Sequence, residues 1–511
     1  MRQQLFNALV LACMLVSTRA FAQEYKRNNN WAVGAAPIII FNFNTPTISF
    51  DTLLQVDGMI EGSCISDTNG NFLFFSNGFN IGDKFGFLME NGHYVNCPQG
   101  TLYADNLGGG GHFDQSTIII PKKNNQYYVF STGLSDSAFN NIFNNGIYVG
   151  YDVLNYSIVD MDSNAGLGKV TVKNKVLLDK QEYVNVAMTA VRHGNGKDWW
   201  LVKADCLNHR YQSFLVKEDT IEGPYYYNIT DTENYCAFYT QIYFSNDGTK
   251  FVSDIYNHVV DSTYWNISRV DVYDFDRCSG AFTFNNYYLV PADTVSYPAD
   301  DFKAGICFSP DSKLLYLSNN FTIYQIDLED TNKNNALFIT GPDTSINYFP
   351  WYSTMACAPD GKLYVGNWNG IRPFMSYIDS PNVKGLGCHF VPQGLWQPYT
   401  NLLKPPNMTN YGLGWNGMCS PASNAEVERS KQEIVIYPNP TNDKLTIALP
   451  TDCKKVEVII YDMLGQVLLK RSMTQIQNDK IELSVKHLPR ALYSIKINVD
   501  GKGFVSKFVK E

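Results

Sequence analysis

Seven histidines, at 93, 112, 193, 209, 258, 389 and 487, stand singly along a chain of 511 residues. Histidine is the side chain best suited to proton transfer or metal binding near neutral pH. His112, His193 and His258 could form a metal centre only in a fold that gathers distant loops on one face, and their spacing gives no support for it. Asp300 and Asp301 could serve glycoside cleavage, but adjacent acids on a strand point to opposite faces, so a solvated loop accounts for them better. Gly108 to Gly111 precede His112 without the Lys-Ser/Thr and the strand that a phosphate-cradling loop requires, which leaves a blade connection. Asp67-Thr68-Asn69-Gly70-Asn71 resembles half a calcium loop, yet no Glu stands at the twelfth position, so a hairpin tip is expected. Neither Gly-x-Ser-x-Gly nor His-Glu-x-x-His occurs in the chain. No catalytic, cofactor-binding or metal-binding residue is therefore assigned, no cofactor is expected, and an enzymatic role is the less favoured one.

Aromatic side chains offer a different chemistry. Trp199-Trp200, Tyr225-Tyr226-Tyr227, Tyr287-Tyr288 and Trp351-Tyr352 are paired, so on a strand the members of each pair face opposite ways. Exposed rings can stack on sugar faces, whereas packing between sheets is the commoner use of such residues.

The elements that must carry these residues are strands. The chain is 45% hydrophobic and 17% charged, enough to bury a large core and far from a disordered polymer. From Trp31 to about Cys419 it has almost no helical period and many short runs of Val, Ile, Phe, Tyr and Thr bounded by Asn, Asp and Gly, the pattern of an all-β chain. Six hairpins of one kind recur, at 64–78, 117–132, 189–205, 242–254, 306–319 and 356–367. Their turns, such as Ser309-Pro310-Asp311-Ser312 and Pro359-Asp360-Gly361-Lys362, combine a proline that presets φ, an aspartate that bonds backbone N–H groups, and a small residue. Steps of 49 to 72 residues fit four-stranded sheets with variable loops packed around an axis, a β-propeller. A β-sandwich of nearly 400 residues would be unusually large. Six marked hairpins, plus a blade shared between Trp31 to Phe43 and the segment 384–419, predict seven blades, with six or eight as alternatives.

The N-terminus reads as an export signal. Arg2 is followed by the run Leu5 to Val16, apolar but for Asn7, and Ala20-Phe21-Ala22 presents small residues where a signal peptidase reads them, so cleavage between Ala22 and Gln23 is expected. Twelve residues rise about 18 Å as a helix, short of a bilayer's roughly 30 Å core, so the mature chain is expected to lack a transmembrane helix. Ten cysteines would remain, at 64, 97, 206, 236, 278, 307, 357, 388, 419 and 453. An even number in an exported chain permits disulfides. Cys388 with Cys419 is the first pair to test, while Cys278, Cys307, Cys357 and Cys453 sit in or beside strand-like runs where a thiol packs as a small hydrophobe.

Forty Lys and Arg against 49 Asp and Glu disfavour nucleic-acid binding. The balance is uneven: residues 23–430 hold 25 against 40, and residues 431–511 hold 13 against 9. A propeller domain at 23–420, a linker at 421–432 and a separate module at 433–511 follow. Within that module the alternation has period 2, and about seven strands in a small Ig-like sandwich are expected.

The module opens with Tyr437-Pro438-Asn439-Pro440, continues through the turn Asp462-Met463-Leu464-Gly465 and the block around Leu492-Tyr493, and closes with Lys507-Phe508-Val509-Lys510. In these blocks it resembles the type A C-terminal sorting domain of the type IX (Por) secretion system of Bacteroidota. Ala491 departs from the glycine usual before x-Tyr. The resemblance implies a second export step, in which the outer-membrane machinery reads the tail and then commonly cuts it off. Tyr437, Pro438, Asn439, Pro440, Asp462, Gly465, Tyr493, Lys507 and Lys510 are the positions that match the sorting motif.

The large region, through Asn30-Trp31-x-x-Gly34, Glu61-Gly62-x-Cys64-Ile65-Ser66-Asp67, Gln115-Ser116-Thr117-Ile118-Ile119-Ile120-Pro121 and Gly196-Lys197-Asp198-Trp199-Trp200, is similar to secreted WD40-like propeller proteins of the same bacteria. That likeness implies shape and export route but no activity. The expectation is an exported binding module for glycan or protein, secreted or held at the cell surface. The alternative is a polysaccharide lyase or glycosidase with its site on the propeller axis, which would need acidic, basic or His side chains converging on one axial face.

Overall fold

The computed structural model describes residues 24–34, 38–43, 49–53, 62–96, 115–138, 140, 151–179, 187–205, 210–228, 241–255, 268–290, 305–318, 321–340, 351–367, 373–396, 403–415, 419, 435–449, 455–462, 466–473, 480–499 and 502–511. The signal segment with Ala22 and Gln23, and the linker at 421–432, lie outside these residues. The chain divides into two compact units, 1–419 and 420–511.

In the first unit the described strands form seven antiparallel sheets in chain order. Blade 1 holds Asn30–Val33, Ile38–Asn42 and Ser49–Leu53, and blade 2 holds Ser63–Ser66, Phe72–Ser76 and Ile81–Asp83. Blades 3 to 7 have four strands each and begin at Thr117–Pro121, Met188–Arg192, Ile242–Phe244, Gly305–Phe308 and Tyr352–Cys357. Within each blade every strand pairs with the next. All six hairpins read from the sequence are the first two strands of blades 2 to 7, and their turns lie on one face of the ring.

These first strands are short apolar runs because a propeller buries both faces of each blade. Thr117–Pro121 is buried at four of its five positions and Gly305–Phe308 at all four, as is the second strand of blade 4, Trp199–Asp205, at all seven. The last strands are far less covered: Ile221–Asn228 contains no buried residue, and Ala281–Val290 has three in ten. The core is accordingly a ring of layers between blades. Trp200 packs with Phe244, Phe251 and Tyr273 between blades 4 and 5, whereas Trp199 joins Phe130, Leu201 and Tyr411 on the other face of blade 4. The ring closes where Trp31 of blade 1 meets Tyr364 of blade 7 edge-on, with centroids 5.5 Å apart, alongside Phe41, Met375 and Leu395.

The closure differs from the expected shared blade. The fourth strand of blade 7 is Phe390–Trp396, from the same contiguous stretch as its other three, and the strands of 30–42 pair with Ser49–Leu53 instead. Residues 403–411 are drawn into the channel between the first strands. There Asn407 N donates to Gly62 O at 2.8 Å, and its Nδ2 donates to Thr117 O and Met188 O at 2.9 and 3.0 Å. Tyr411 OH donates to Ile119 O at 2.8 Å, and Ser63 Oγ donates to Asn407 O at 2.7 Å. Neighbouring first strands splay too far apart to form a ladder, so their edge groups must find partners in the channel.

A second correction concerns the cysteines. Cys419 is bonded to Cys278, in the turn between the last two strands of blade 5, across 141 residues of sequence. Cys388 is a buried free thiol packed with Tyr316 and Tyr352. Cys278 therefore lies beyond the end of its strand-like run, where it is free to reach a partner.

The second unit is a sandwich of seven described strands in two sheets. One orders Val435–Tyr437, Lys444–Ala448 and Lys480–Ser484; the other orders Val467–Met473, Val456–Tyr461, Ala491–Val499 and Lys502–Lys510. Its core interleaves Leu445, Ile447 and Leu483 with Val458, Ile460 and Ile495.

Asn407→Ala leaves two strand carbonyls unpaired in the channel, and is expected to destabilise the propeller by about 2–4 kcal/mol in urea unfolding. Lys203, wholly buried on the second strand of blade 4, sets the pH dependence. Burial lowers its pKa to about 7, with Asp205 opposing the shift. An unfolded lysine titrates near 10.4, so from about pH 7 to 10 the unfolded chain binds the extra proton and stability rises with pH. Burial raises Tyr211, Tyr316 and Tyr411 and pushes the Cys64 thiol up to about 12. The folded chain then keeps protons that the unfolded chain releases above about pH 9, and stability falls. Unfolding free energy should peak at about pH 9, and Lys203→Met should flatten the rise while leaving the fall.

Candidate binding face and sorting surface

The face that carries the six hairpin turns is built by aspartates folding back on their own turns. Asp67 Oδ1 accepts from the N–H groups of Asn69 and Asn71, both at 2.8 Å. Asp247 Oδ1 accepts from Ser245 Oγ and Thr249 N, and Asp311 Oδ1 from Ser309 Oγ and Lys313 N. These carboxylates are occupied as hairpin tips. Gly248 adopts φ 71° inside one such turn, and a Cβ there would lie 2.8 Å from Arg277 Cδ.

A cavity of about 350 Å3 opens on this face at the channel mouth. Tyr25 and Asn28 line it from the short helical turn Lys26–Asn28 and its cap, Asn246 and Asp247 from blade 5, Cys357 from blade 7 and Asn410 from the axial segment. Asn28 Nδ2 donates to Thr409 O at 3.2 Å, while its Oδ1 has no partner among the described residues. Asn410 Nδ2 donates to Asn246 O at 2.8 Å. Tyr25 is 44% exposed. The floor is Met408 with Pro406, so the axis below the mouth is filled by the chain itself. Amide groups, the phenols of Tyr25 and Tyr243 and one carboxylate can hold hydroxyls and ring faces; they do not form an acid–base pair.

Two thiols meet beside the mouth. Cys307 Sγ and Cys357 Sγ lie 3.8 Å apart on neighbouring first strands, and both reach Phe308 O. Burial raises the Cys307 thiol well above its usual range, and the neighbouring Cys357 raises it further.

The residues singled out for chemistry do not assemble here. His193 is tied into its own turn, Nε2 against Cys278 O at 2.9 Å and Nδ1 accepting from Asn195 N at 3.0 Å. His112, His258, Asp300, Asp301 and Gly108 to Gly111 lie outside the described residues. Among the described residues no group of three or more His, Cys, Asp or Glu could hold a metal ion, and no helix is long and apolar enough to cross a membrane. Of the paired aromatics, Trp199, Trp200, Tyr288 and Tyr352 are buried between blades, whereas Tyr225, Tyr226 and Trp351 are exposed.

In the second unit, blocks separated by some 70 residues come together. Asn439 Oδ1 accepts from Val509 N at 2.9 Å, and Thr441 N donates to Val509 O at 2.9 Å. Tyr493, buried, stacks on Phe508 at 5.5 Å and donates to Pro489 O at 2.7 Å. Tyr437 and Pro438 to Pro440 are exposed beside this edge. Lys510 is buried and pairs with Ala491, so the Ala491 departure leaves the strand pairing whole. Lys507 pairs through its backbone with Ser494. Asp462 stands apart from these blocks in its own turn, accepting from Gln466 N at 2.8 Å, and Gly465 lies outside the described residues.

Sequence reasoning missed the two segments that shape the mouth, 24–29 and 403–411. The second had a readable signal: Lys404-Pro405-Pro406-Asn407 cannot donate a continuous ladder, so an extended non-strand path was implied. Since Cys357 lines the cavity and Cys64, Cys307 and Cys388 are buried, brief iodoacetamide treatment of native protein should alkylate Cys357 before those three. Peptide mass spectrometry checks this, and a ligand seated in the mouth should slow the labelling.

Residues 435–511 match the family described as secretion system C-terminal sorting domain. No curated protein matches the chain in sequence. Among solved structures it is similar to a quinonprotein alcohol dehydrogenase-like protein from Bacteroides thetaiotaomicron, at 12% identity, over 74% of this chain and 77% of that one, with TM-score 0.36. It is also similar to Hsv2p of Kluyveromyces lactis, at 9% identity over 68% and 88%, TM-score 0.32. Puromycin hydrolase matches at 10% identity over 71% of this chain with TM-score 0.32, and the chain spans 45% of that protein's length. Its seven sheets in chain order make the first unit a β-propeller, and residues 435–511, matching the secretion-system sorting domain, mark the protein as exported through the outer membrane to the cell surface or the extracellular space.

Proposed function

We propose that the propeller is a binding module whose ligand, a glycan in preference to a protein, enters the channel mouth, and that the tail is its export label. The observation that carries this reading is the makeup of the mouth: Asn28, Asn246 and Asn410 amides with the Tyr25 ring, above an axis filled by residues 403–411. Saccharide hydroxyls are matched by amide donors and acceptors, and a ring face by an exposed phenol. An axial enzyme would need free depth and converging acids or histidines, and the mouth offers one carboxylate, Asp247.

Removal of residues 1–22 by signal peptidase delivers the chain to the periplasm, and the Tyr437–Pro440 and Lys507–Lys510 blocks are read by the type IX machinery at the outer membrane. Tyr493 supports that surface from the core.

The test has two parts. In a host with type IX export, the chain lacking 433–511 should remain periplasmic while the full chain appears outside, shortened at both ends by intact mass. On a glycan array the full chain should retain a subset of sugars, and Tyr25→Ala with Asn28→Ala should lower that retention at least tenfold with the unfolding midpoint unchanged. Array binding indifferent to both substitutions would sink the mouth as the site.

A further inference from the structure

A second cavity, of about 180 Å3, opens on the turn face between blades 3 and 4. Six cations line it: Arg27, Lys122, Lys123, Arg192, Lys197 and Lys217. Only two carboxylates do, Glu24 and Glu218. Residues 23–430 hold 25 Lys and Arg against 40 Asp and Glu, so this positive concavity runs against the charge of the body around it. The 3-10 turn Lys26–Asn28 separates it from the mouth. Residues three apart share a face in such a turn, so Glu24 and Arg27 look into the basic cavity while Tyr25 and Asn28 look into the mouth.

The charges present neutralise one another incompletely. Arg27 holds Glu24 at 2.9 Å, and Arg192 approaches the same carboxylate at 3.6 Å, so two guanidiniums share one negative charge. The Arg192 side chain is only 12% exposed, and its Nε has no hydrogen-bond partner among the described residues. Burial lowers its pKa, Glu24 opposes that shift, and the neighbouring Arg27 adds to it. Lys122 and Lys123 divide Asp219 between them, with Glu218 3.8 Å from Lys123, and Lys217 is held by Glu222 at 2.7 Å. Lys197 is exposed at the rim and makes no ion pair among the described residues.

We propose that this cavity binds the acidic group of an anionic saccharide, a uronate carboxylate or a sulfate ester, with Arg192 and Lys197 as its direct partners. Guanidinium and ammonium donors around one concavity suit a compact oxyanion, which would supply the missing negative charge beside an Arg192 whose Nη1 is held at 2.8 Å on Tyr411 O. The volume falls below the roughly 300–1,000 Å3 of sites for drug-sized ligands, so it admits one acidic group or one ring and leaves the rest of a chain outside. A nucleic acid needs a basic groove with open aromatic platforms; here the Trp199 ring is 2% exposed and covered by the Arg192 guanidinium at 5.1 Å. The anion chemistry stands by itself, whereas the saccharide identity rests on the binding reading given above.

Isothermal titration of the full chain tests this with four probes: a galacturonate hexamer, a sulfated galacto-oligosaccharide, a neutral galacto-oligosaccharide and sodium sulfate, each at low and high NaCl. An acidic oligosaccharide should bind, weaken as salt rises, and weaken at least tenfold in Lys197→Glu and in Arg192→Gln, while the same charge reversal at the exposed Lys175, on the last strand of blade 3 and outside both cavities, leaves it unchanged. The preferred acidic probe tells carboxylate from sulfate ester. Lys197→Glu sits at an exposed turn and remains informative if Arg192→Gln perturbs folding. Acidic-probe affinity unchanged in Lys197→Glu overturns the proposal, as does silence of both acidic probes. Sodium sulfate binding without either oligosaccharide overturns the saccharide assignment. Neutral-probe binding that Tyr25→Ala abolishes, with the acidic probes silent, overturns this site while leaving the mouth intact.

Discussion

The edge of the first strand in each blade governs the first unit. Seven sheets set around an axis bring seven strand edges to one channel, where they converge too obliquely to pair with one another and too closely to be freely hydrated. An unpaired buried N–H or C=O costs about 1–3 kcal/mol, so partners must come from side chains or from another piece of chain. Gln115 answers for Ile242 by donating to its carbonyl at 3.0 Å and accepting from its N–H at 2.9 Å. Gln241 does the same between blades, its Oε1 accepting from Ile306 N at 3.0 Å and Met355 N at 2.8 Å. Asn407 serves blades 2, 3 and 4 from within the axial segment. A carboxamide carries both donor and acceptor and so imitates a missing peptide unit, which is why Gln and Asn, rather than charged residues, hold the channel.

Residues 403–411 fill the described part of the axis. A propeller with an open channel can gather catalytic groups deep between its blades; in this chain that volume is committed to stability. The turn face is rigid, because its loops are short hairpin tips whose aspartates bond their own backbones and whose strands are buried immediately beneath. The segment 24–29 lies across it and divides the face into a neutral hollow rich in amides and a basic one. A single helical turn therefore separates two chemistries a few ångströms apart.

Much of the fold was legible in the sequence because the first two strands of a blade are local: thirteen to eighteen residues contain both strands and the turn between them, and their apolar runs follow from burial on both faces. The outer strands were not legible, since Ile221–Asn228 and Ala281–Val290 are half polar and pair only with the strand before them. The closing blade was misjudged for a related reason. Trp31 to Phe43 was assigned to a blade shared with the chain's far end, yet backbone pairing with Ser49–Leu53 was nearer and left Trp31 free to pack on Tyr364. The disulfide could not be read, because the proximity of Cys278 to Cys419 depends on the axial segment returning past blade 5. Nor could either cavity, whose lining residues come from turns that lie tens to hundreds of residues apart and meet only around the ring.

The second unit applies the same reasoning to a linear signal. Tyr437 to Pro440, Tyr493 and Lys507 to Lys510 look like independent words in the sequence, and each is weak alone. In the sandwich they share an edge: Asn439 and Thr441 bond the backbone of Val509, and Tyr493 seats Phe508 from beneath. Prolines at 438 and 440 remove two donors from the opening strand, which keeps that edge from extending its ladder and leaves Tyr437 outward. The alternation of Lys507-Phe508-Val509-Lys510 cannot be satisfied unless Tyr493 is in the core, because a slip of one residue would put Phe508 into solvent. The blocks are thus coupled through folding, and a chain that has lost the core of its tail has lost the arrangement of its motif even with every motif residue present.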